Sequence, residues 1–221
     1  MLVVHKNGDA AHAIENHQHE HEFTVCVKPM HYDYDNVMQL VEWTEFHRIQ
    51  GVTHFIFYNH TIGEKISCLL SGPYKHLVEV LPWTLPFISQ KEIRTEGLFT
   101  AINDCVYRSR GKSKYLIIVD LDEMIVPRKQ FDNYQGFVSN ILTLSTNLRK
   151  KIGAFSVQNG FFYLQWKDEP LEVPFENQKN SRLNQIVASE LVSLRKTRRR
   201  SKLHPHKQRY TLVMHKCTYH F

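Results

Sequence analysis

Three carboxylates fall within four residues at Asp120-Leu121-Asp122-Glu123, directly after the apolar, β-branched run from Tyr115 to Val119. A short run with no polar face reads as a strand buried on both sides of a sheet. Ligand sites in α/β sheets lie beyond the carboxyl ends of the strands, so these acids stand where chemistry is usually done. In an extended backbone Asp120 and Asp122 point the same way. Two hard oxygen donors at that spacing suit Mg²⁺ or Mn²⁺, which keep positions open for water or for phosphate oxygens. A bare Asp-x-Asp is a weak signal. A second copy, Asp33-Tyr34-Asp35, has aromatics around it and no apolar strand before it, and reads as a polar loop. The buried strand ahead of Asp120 favours a metal over a strand end capped by solvated acids.

The elements that must position these acids follow from the chain in order. Phe23 to Lys28 reads as a first strand, stopped by Pro29. Asn36 can cap a helix to about Gln50, with Val37, Leu40, Val41 and Thr44 on its inner face and Gly51 at its end. Thr53 to Tyr58 is a second strand, Ile62 to Leu70 a short helix, and His76 to Leu81 a third strand. Ser89 can cap a longer helix to Ser109, whose apolar stripe is Leu98, Ile102, Cys105 and Val106, closed by Gly111. Strand and helix in alternation give a mainly parallel α/β sheet with helices on both faces, its strand ends aligned along one edge. Beyond Arg128 the pattern weakens. A helix is expected over Phe131 to Leu144, aromatic-rich strands within Lys151 to Leu164, and a last strand over Tyr210 to Met214. The irregular stretch from Trp166 to Asn184, with Pro170 and Pro174, reads as an acceptor-binding or lid loop.

A chain of 221 residues with 42% hydrophobic and 12% aromatic content supports one folded domain with a substantial core. The first 22 residues differ: His12, His17, His19 and His21 alternate with Glu15, Glu20 and Glu22, and a mobile arm is expected there, leaving 23–221 as a single domain. The net charge of +6 is nearly accounted for by five cations in Arg195 to Arg200, so no nucleic-acid partner is expected. No apolar run approaches a bilayer span and Met1 opens no signal peptide, so the chain as written reads as soluble. Cys26, Cys68, Cys105 and Cys217 show neither zinc-ligand nor redox spacing. Cys26 and Cys105, in apolar segments, read as core residues, and the redox compartment stays open.

The edge that carries Asp120 and Asp122 should also carry Lys28 and Asn59. Together they would make a nucleotide crevice: a cation for phosphate or carbonyl oxygen, an amide for base or ribose, acids for the metal. Lys28 reads equally well as a solvated strand end. Asn59-His60-Thr61 is also a glycosylation sequon, and that use excludes the pocket. Asn103 and Asp104 interrupt the apolar helix before the acid strand. Asn103, Thr100 and Glu96 form a polar stripe that faces either solvent or a bound donor. Among the late histidines, His220 could complete a metal shell.

Several segments resemble glycosyltransferase family 92. They are Cys26-Val-Lys-Pro29, the Glu42-Trp43 helix with Phe46-His-Arg48 and Gly51, Phe55 to Tyr58, Ala101 to Arg108, and Tyr115 through Arg128, in that order. The match is close from Phe23 to Arg128 and loose thereafter. The resemblance implies a GT-A-type fold and metal-dependent transfer of a hexose, with galactose the first candidate, from a UDP-sugar to a glycan or glycoprotein acceptor. Asp120 and Asp122 would hold Mn²⁺ (or Mg²⁺) against the diphosphate; Lys28, Asn59, Asn103 and Asp104, placed by their positions in the chain as above, are the substrate-binding candidates beside them. An inverting member needs a base for the acceptor hydroxyl, for which Asp168 and Glu169 are the available guesses. Family resemblance also implies a Golgi enzyme of the secretory pathway with an amino-terminal membrane anchor, which is not expected within the sequence as written. The ends of the chain leave a second expectation open: a fragment, truncated at the carboxyl end, or a member that binds nucleotide or glycan without turnover.

Overall fold

Alternation of short apolar strands with amphipathic helices builds a six-stranded sheet in the order β3-β2-β1-β4-β6-β5. The computed structural model describes residues 19–86, 94–127, 130–144, 154–157 and 212–216. β1 (His21–Cys26) lies between β2 (His54–Asn59) and β4 (Ser113–Ile118), and β3 (Val78–Pro82) pairs β2, all in parallel. β5 (Ala154–Val157) and β6 (Leu212–Lys216) extend the sheet antiparallel beyond β4. A mainly parallel sheet with helices on both faces is therefore what the chain forms, and it fits a GT-A-like architecture.

Two cores, one on each face, hold the helices. On one side Phe23 and Val25 of β1, Phe55 and Phe57 of β2 and Tyr115 and Ile117 of β4 pack with Leu40 and Trp43 of α1 (Val37–Ile49). Ile66 of α2 (Glu64–Ser71) and Tyr134 and Val138 of α4 (Tyr134–Leu144) complete that layer. On the other side Cys26, Ile56, Tyr58 and Leu116 pack with Ala101 and Cys105 of α3 (Arg94–Ser109). Both faces of the central strands are thus apolar, as the unbroken runs in the sequence require.

Asn36 caps α1, its side chain accepting from the Gln39 N–H at 3.1 Å, and Gly51 and Gly111 supply the positive φ that lets the chain leave α1 and α3. The buried face of α1 is Leu40, Trp43, Thr44 and His47, not the Val37-Leu40-Val41-Thr44 face expected from apolarity. An aromatic and a histidine fill the gap under the sheet better than two valines, and Val37 and Val41 are only half-buried. β1 begins at His21, inside the span expected to be an arm, because His21 stacks on His54 at 4.4 Å and Glu22 pairs with Lys114 at 2.8 Å. Residues 1–18 lie outside the described residues.

Cys26 and Cys105 are buried, as expected, but they are joined in a disulfide that staples α3 to β1. Their separation of 79 residues hides the pair from any spacing rule. Closing a loop of that length stabilises the fold by about 4 kcal/mol in the chain-entropy account. Cys68 is a free, exposed thiol.

Candidate functional site

Strand register delivers the first pair of functional side chains. Cys26 of β1 stands beside Ile118 of β4, and the ladder continues with the Val119 N–H donating to the Cys26 carbonyl at 3.3 Å. Two residues further along both chains come Lys28 and Asp120, on the same face. Lys28 Nζ lies 2.6 Å from Asp120 Oδ2, each side chain about one-third exposed. A basic and an acidic side chain 92 positions apart in sequence are therefore set together by the sheet itself.

After Asp120 the chain does not stay extended. The Glu123 N–H donates to the Asp120 carbonyl at 3.0 Å and the Asp120 N–H donates to Glu123 Oε2 at 3.0 Å, closing a turn over Leu121 and Asp122. The extended-backbone reasoning for parallel side chains fails here, because Glu123 folds back to satisfy the strand's last amide. The turn is braced from α1. The buried Trp43 indole donates to the Glu123 carbonyl at 3.0 Å, and the Gln39 amide reaches the Leu121 carbonyl at 3.5 Å. Burial pushes the Glu123 carboxyl up from its ordinary range; the hydrogen bond from Asp120 opposes this, and the charges of Asp120 and Asp122 add to it. Asp122 is exposed and makes no ion pair or hydrogen bond among the described residues.

Asn59, at the end of β2, closes the same edge. Its carbonyl accepts from the Trp83 N–H at 2.8 Å, while its side-chain Oδ1 is buried with no partner among the described residues. His60 Nδ1 and His31 Nδ1 are buried and unpartnered in the same way. His60 Nε2 faces Glu96 Oε2 at 3.7 Å, and Glu96 is itself buried at the start of α3. Burial lowers the His31 pKa, opposed by Glu96 and reinforced by Lys28 and His60. These groups therefore feel one another. An unpaired buried polar atom costs about 1–3 kcal/mol, so three at one edge are a standing cost that a ligand could relieve.

Backbone strain gathers at this edge too. Among the described residues the non-glycine positions with positive φ are Tyr32 (58°), Asp33 (49°) and Glu96 (52°). The first two lie in the loop after β1, where the Asp33 N–H donates to Thr61 Oγ1 at 3.1 Å, and the third faces His60. Left-handed backbone at side-chain-bearing residues costs about 1–2 kcal/mol each, and such residues concentrate at functional sites. Neither His31 nor His60 is offered as a ligand by the sequence, and Glu96 is offered only within the polar stripe that faces solvent or a bound donor. His60 could have been, since it follows Asn59 directly off a strand end.

Asn103 and Asp104 are not brought into this group. Asn103 is exposed and its amide donates to the Phe99 carbonyl one turn back at 2.8 Å. Asp104 accepts from the Tyr58 hydroxyl at 2.7 Å and from Arg108 Nε at 3.1 Å. Arg108 also faces Glu79 at 3.7 Å, so this network ties α3 to β2 and β3. Of the polar stripe, Thr100 and Asn103 face solvent, and Glu96 turns inward. Asp168, Glu169 and His220 lie outside the described residues, as do the Trp166–Asn184 loop and Arg195 to Arg200.

No group of three or more His, Cys, Asp or Glu able to hold a metal is found among the described residues. A hard divalent cation does not need one: it is commonly held by one or two carboxylates, the rest of its shell coming from water and substrate phosphates. Asp120 Oδ2 already carries a cationic group at 2.6 Å, and Asp122 is open to solvent, so the donor chemistry fits such an ion. A family of known sequences matches residues 21–220, almost the whole chain, and it is glycosyltransferase family 92. The chain belongs to that family. A search of curated proteins finds no match. The acids at Asp120 and the polar groups beside them therefore sit in a glycosyltransferase domain, which works on a sugar donor and a glycan acceptor.

Proposed function

We propose that the carboxyl edge of β1, β2 and β4 is the donor site of a metal-dependent transferase that moves a hexose from a UDP-sugar to a glycan, galactose being the first candidate. What carries this reading is the convergence of Lys28, Asn59 and the Asp120–Glu123 turn at a single sheet edge in a family 92 domain. Asp120 and Asp122 would hold Mn²⁺ or Mg²⁺. When bound, the metal would neutralise charge developing on the departing UDP. Trp43 and Gln39 keep the acid turn in place from below, so its carboxylates need not be ordered at each binding event. Asn59, His31 and His60 offer buried polar atoms that a nucleoside's ring edge or hydroxyls would satisfy. Asn59 is half-buried with its Oδ1 fully covered, which favours the pocket over the sequon, since a glycan needs a freely exposed amide.

The Cys26–Cys105 disulfide supports a lumenal, oxidising setting such as the Golgi, because disulfides of this kind rarely persist in the cytosol. No helix among the described residues is long and apolar enough to cross a membrane.

The test is UDP-hexose turnover with Mn²⁺ and a panel of glycan acceptors, comparing the native chain with Asp120→Asn. The substitution should leave melting unchanged, since Asp120 is a partly exposed strand end, and should cut turnover at least about a hundredfold, as loss of one charge-stabilising group does elsewhere. A folded Asp120→Asn protein with undiminished activity would sink the reading. Nucleotide binding without transfer to any acceptor would instead favour a member that binds donor or glycan without turnover.

A further inference from the structure

Lys28 and a divalent cation compete for the same carboxylate. Its ammonium sits at 2.6 Å from Asp120 Oδ2, so a divalent cation binding that carboxylate meets a positive charge already beside it. Around it, His31 stands on the loop after β1 and Glu123 on the acid turn, both feeling its charge. The side chain is about one-third exposed, so it can swing without disturbing the core.

We propose that Lys28 is a mobile counter-ion that couples metal binding to nucleotide binding. This rests on the donor-site reading above and deepens it. With no metal bound, the ammonium neutralises Asp120. A divalent cation on that carboxylate repels the ammonium, which regains a full anionic partner when a diphosphate is present. Metal alone is therefore bound weakly, and so is UDP alone. Each tightens the other because the presence of both gives Lys28 and Asp120 a partner apiece. A lysine suits this exchange better than an arginine, being a compact charge on a flexible stem that is not committed to a bidentate fork.

The experiment measures Mn²⁺ binding by the paramagnetic resonance signal of the free ion, with and without UDP, on native protein, Lys28→Met and Asp120→Asn. Lys28→Met should bind Mn²⁺ alone at least about tenfold more tightly, the effect of one unit charge on a divalent ion even at the dielectric constant of water. It should bind UDP more weakly at saturating Mn²⁺, so that the mutual enhancement shrinks. Tighter metal binding alone would follow from removing any nearby positive charge; the shrunken mutual enhancement is the readout that a lysine serving only to hold the fold would not produce. Unchanged or weaker Mn²⁺ binding by a Lys28→Met protein that melts like the native chain overturns the proposal. Lys28→Gln, which keeps a polar side chain of similar reach, is read in the same way should the methionine variant fold poorly. Loss of Mn²⁺-dependent UDP binding in Asp120→Asn alongside an unresponsive Lys28→Met removes the counter-ion and leaves the donor site standing. Retention of that binding in Asp120→Asn removes both.

Discussion

Asn59 carries a cost to stability that nucleotide binding would offset on the proposed reading. Its buried Oδ1 has no partner among the described residues, and an apolar side chain of similar size would remove that cost. Asn59→Leu should therefore melt no lower than the native chain, gaining up to about 1 kcal/mol, while weakening UDP binding about tenfold. Denaturation and titration on one preparation check both; a destabilised variant with unchanged affinity would make Asn59 a structural residue. At this scale the sequence was legible where a side chain follows a recognisable strand end. Lys28, Asn59 and Asp120 could be placed on one edge from their positions alone. His31 and Glu96 could not, because their placement depends on positive-φ turns at Tyr32, Asp33 and Glu96 that no apolar pattern announces.

Helix α1 carries much of the burden of presentation. One face of it both seals the core and braces the acid turn through Trp43, and His47 lies one turn further along. His47 is fully buried, with Nδ1 against the Trp43 carbonyl at 2.8 Å, and burial lowers its pKa from 6.5 to about 4. The neutral ring is the folded form. Its contribution is intact above pH 6.5, where folded and unfolded chains are both neutral. It is lost as pH falls toward 4, because the unfolded chain takes up a proton that the folded chain refuses. About 3 kcal/mol of stability should disappear across that window. Chemical denaturation between pH 7 and 4 measures it, and His47→Leu should flatten the slope; an equally steep slope in that variant would assign the loss to other groups. Apolar periodicity found α1 and its Asn36 cap but chose Val37 and Val41 for the inner face. Volume and shape under the sheet decided for Trp43 and His47 instead, and those terms are invisible to a hydrophobicity pattern.

At the scale of the whole molecule, two layers of helix hold a mainly parallel sheet whose carboxyl edge gathers acids, a lysine and unpartnered polar atoms. The order of strands and helices through β4 could be read from the sequence because each buried strand is bounded by a cap, a glycine or a proline. The link from Cys26 to Cys105 could not, since pairing across 79 residues is a property of the packed fold. Family membership accounts for the coarse activity, and the edge supplies the candidate chemistry. The most direct test of that chemistry is calorimetric titration of UDP and of UDP-galactose into the purified chain, with Mn²⁺ and then with excess chelator. Binding that appears with Mn²⁺ and falls at least about tenfold with chelator is the predicted result, the ion being held jointly by Asp120, Asp122 and the diphosphate. Binding indifferent to the metal, or none by a folded chain, would contradict a metal-dependent donor site at this edge.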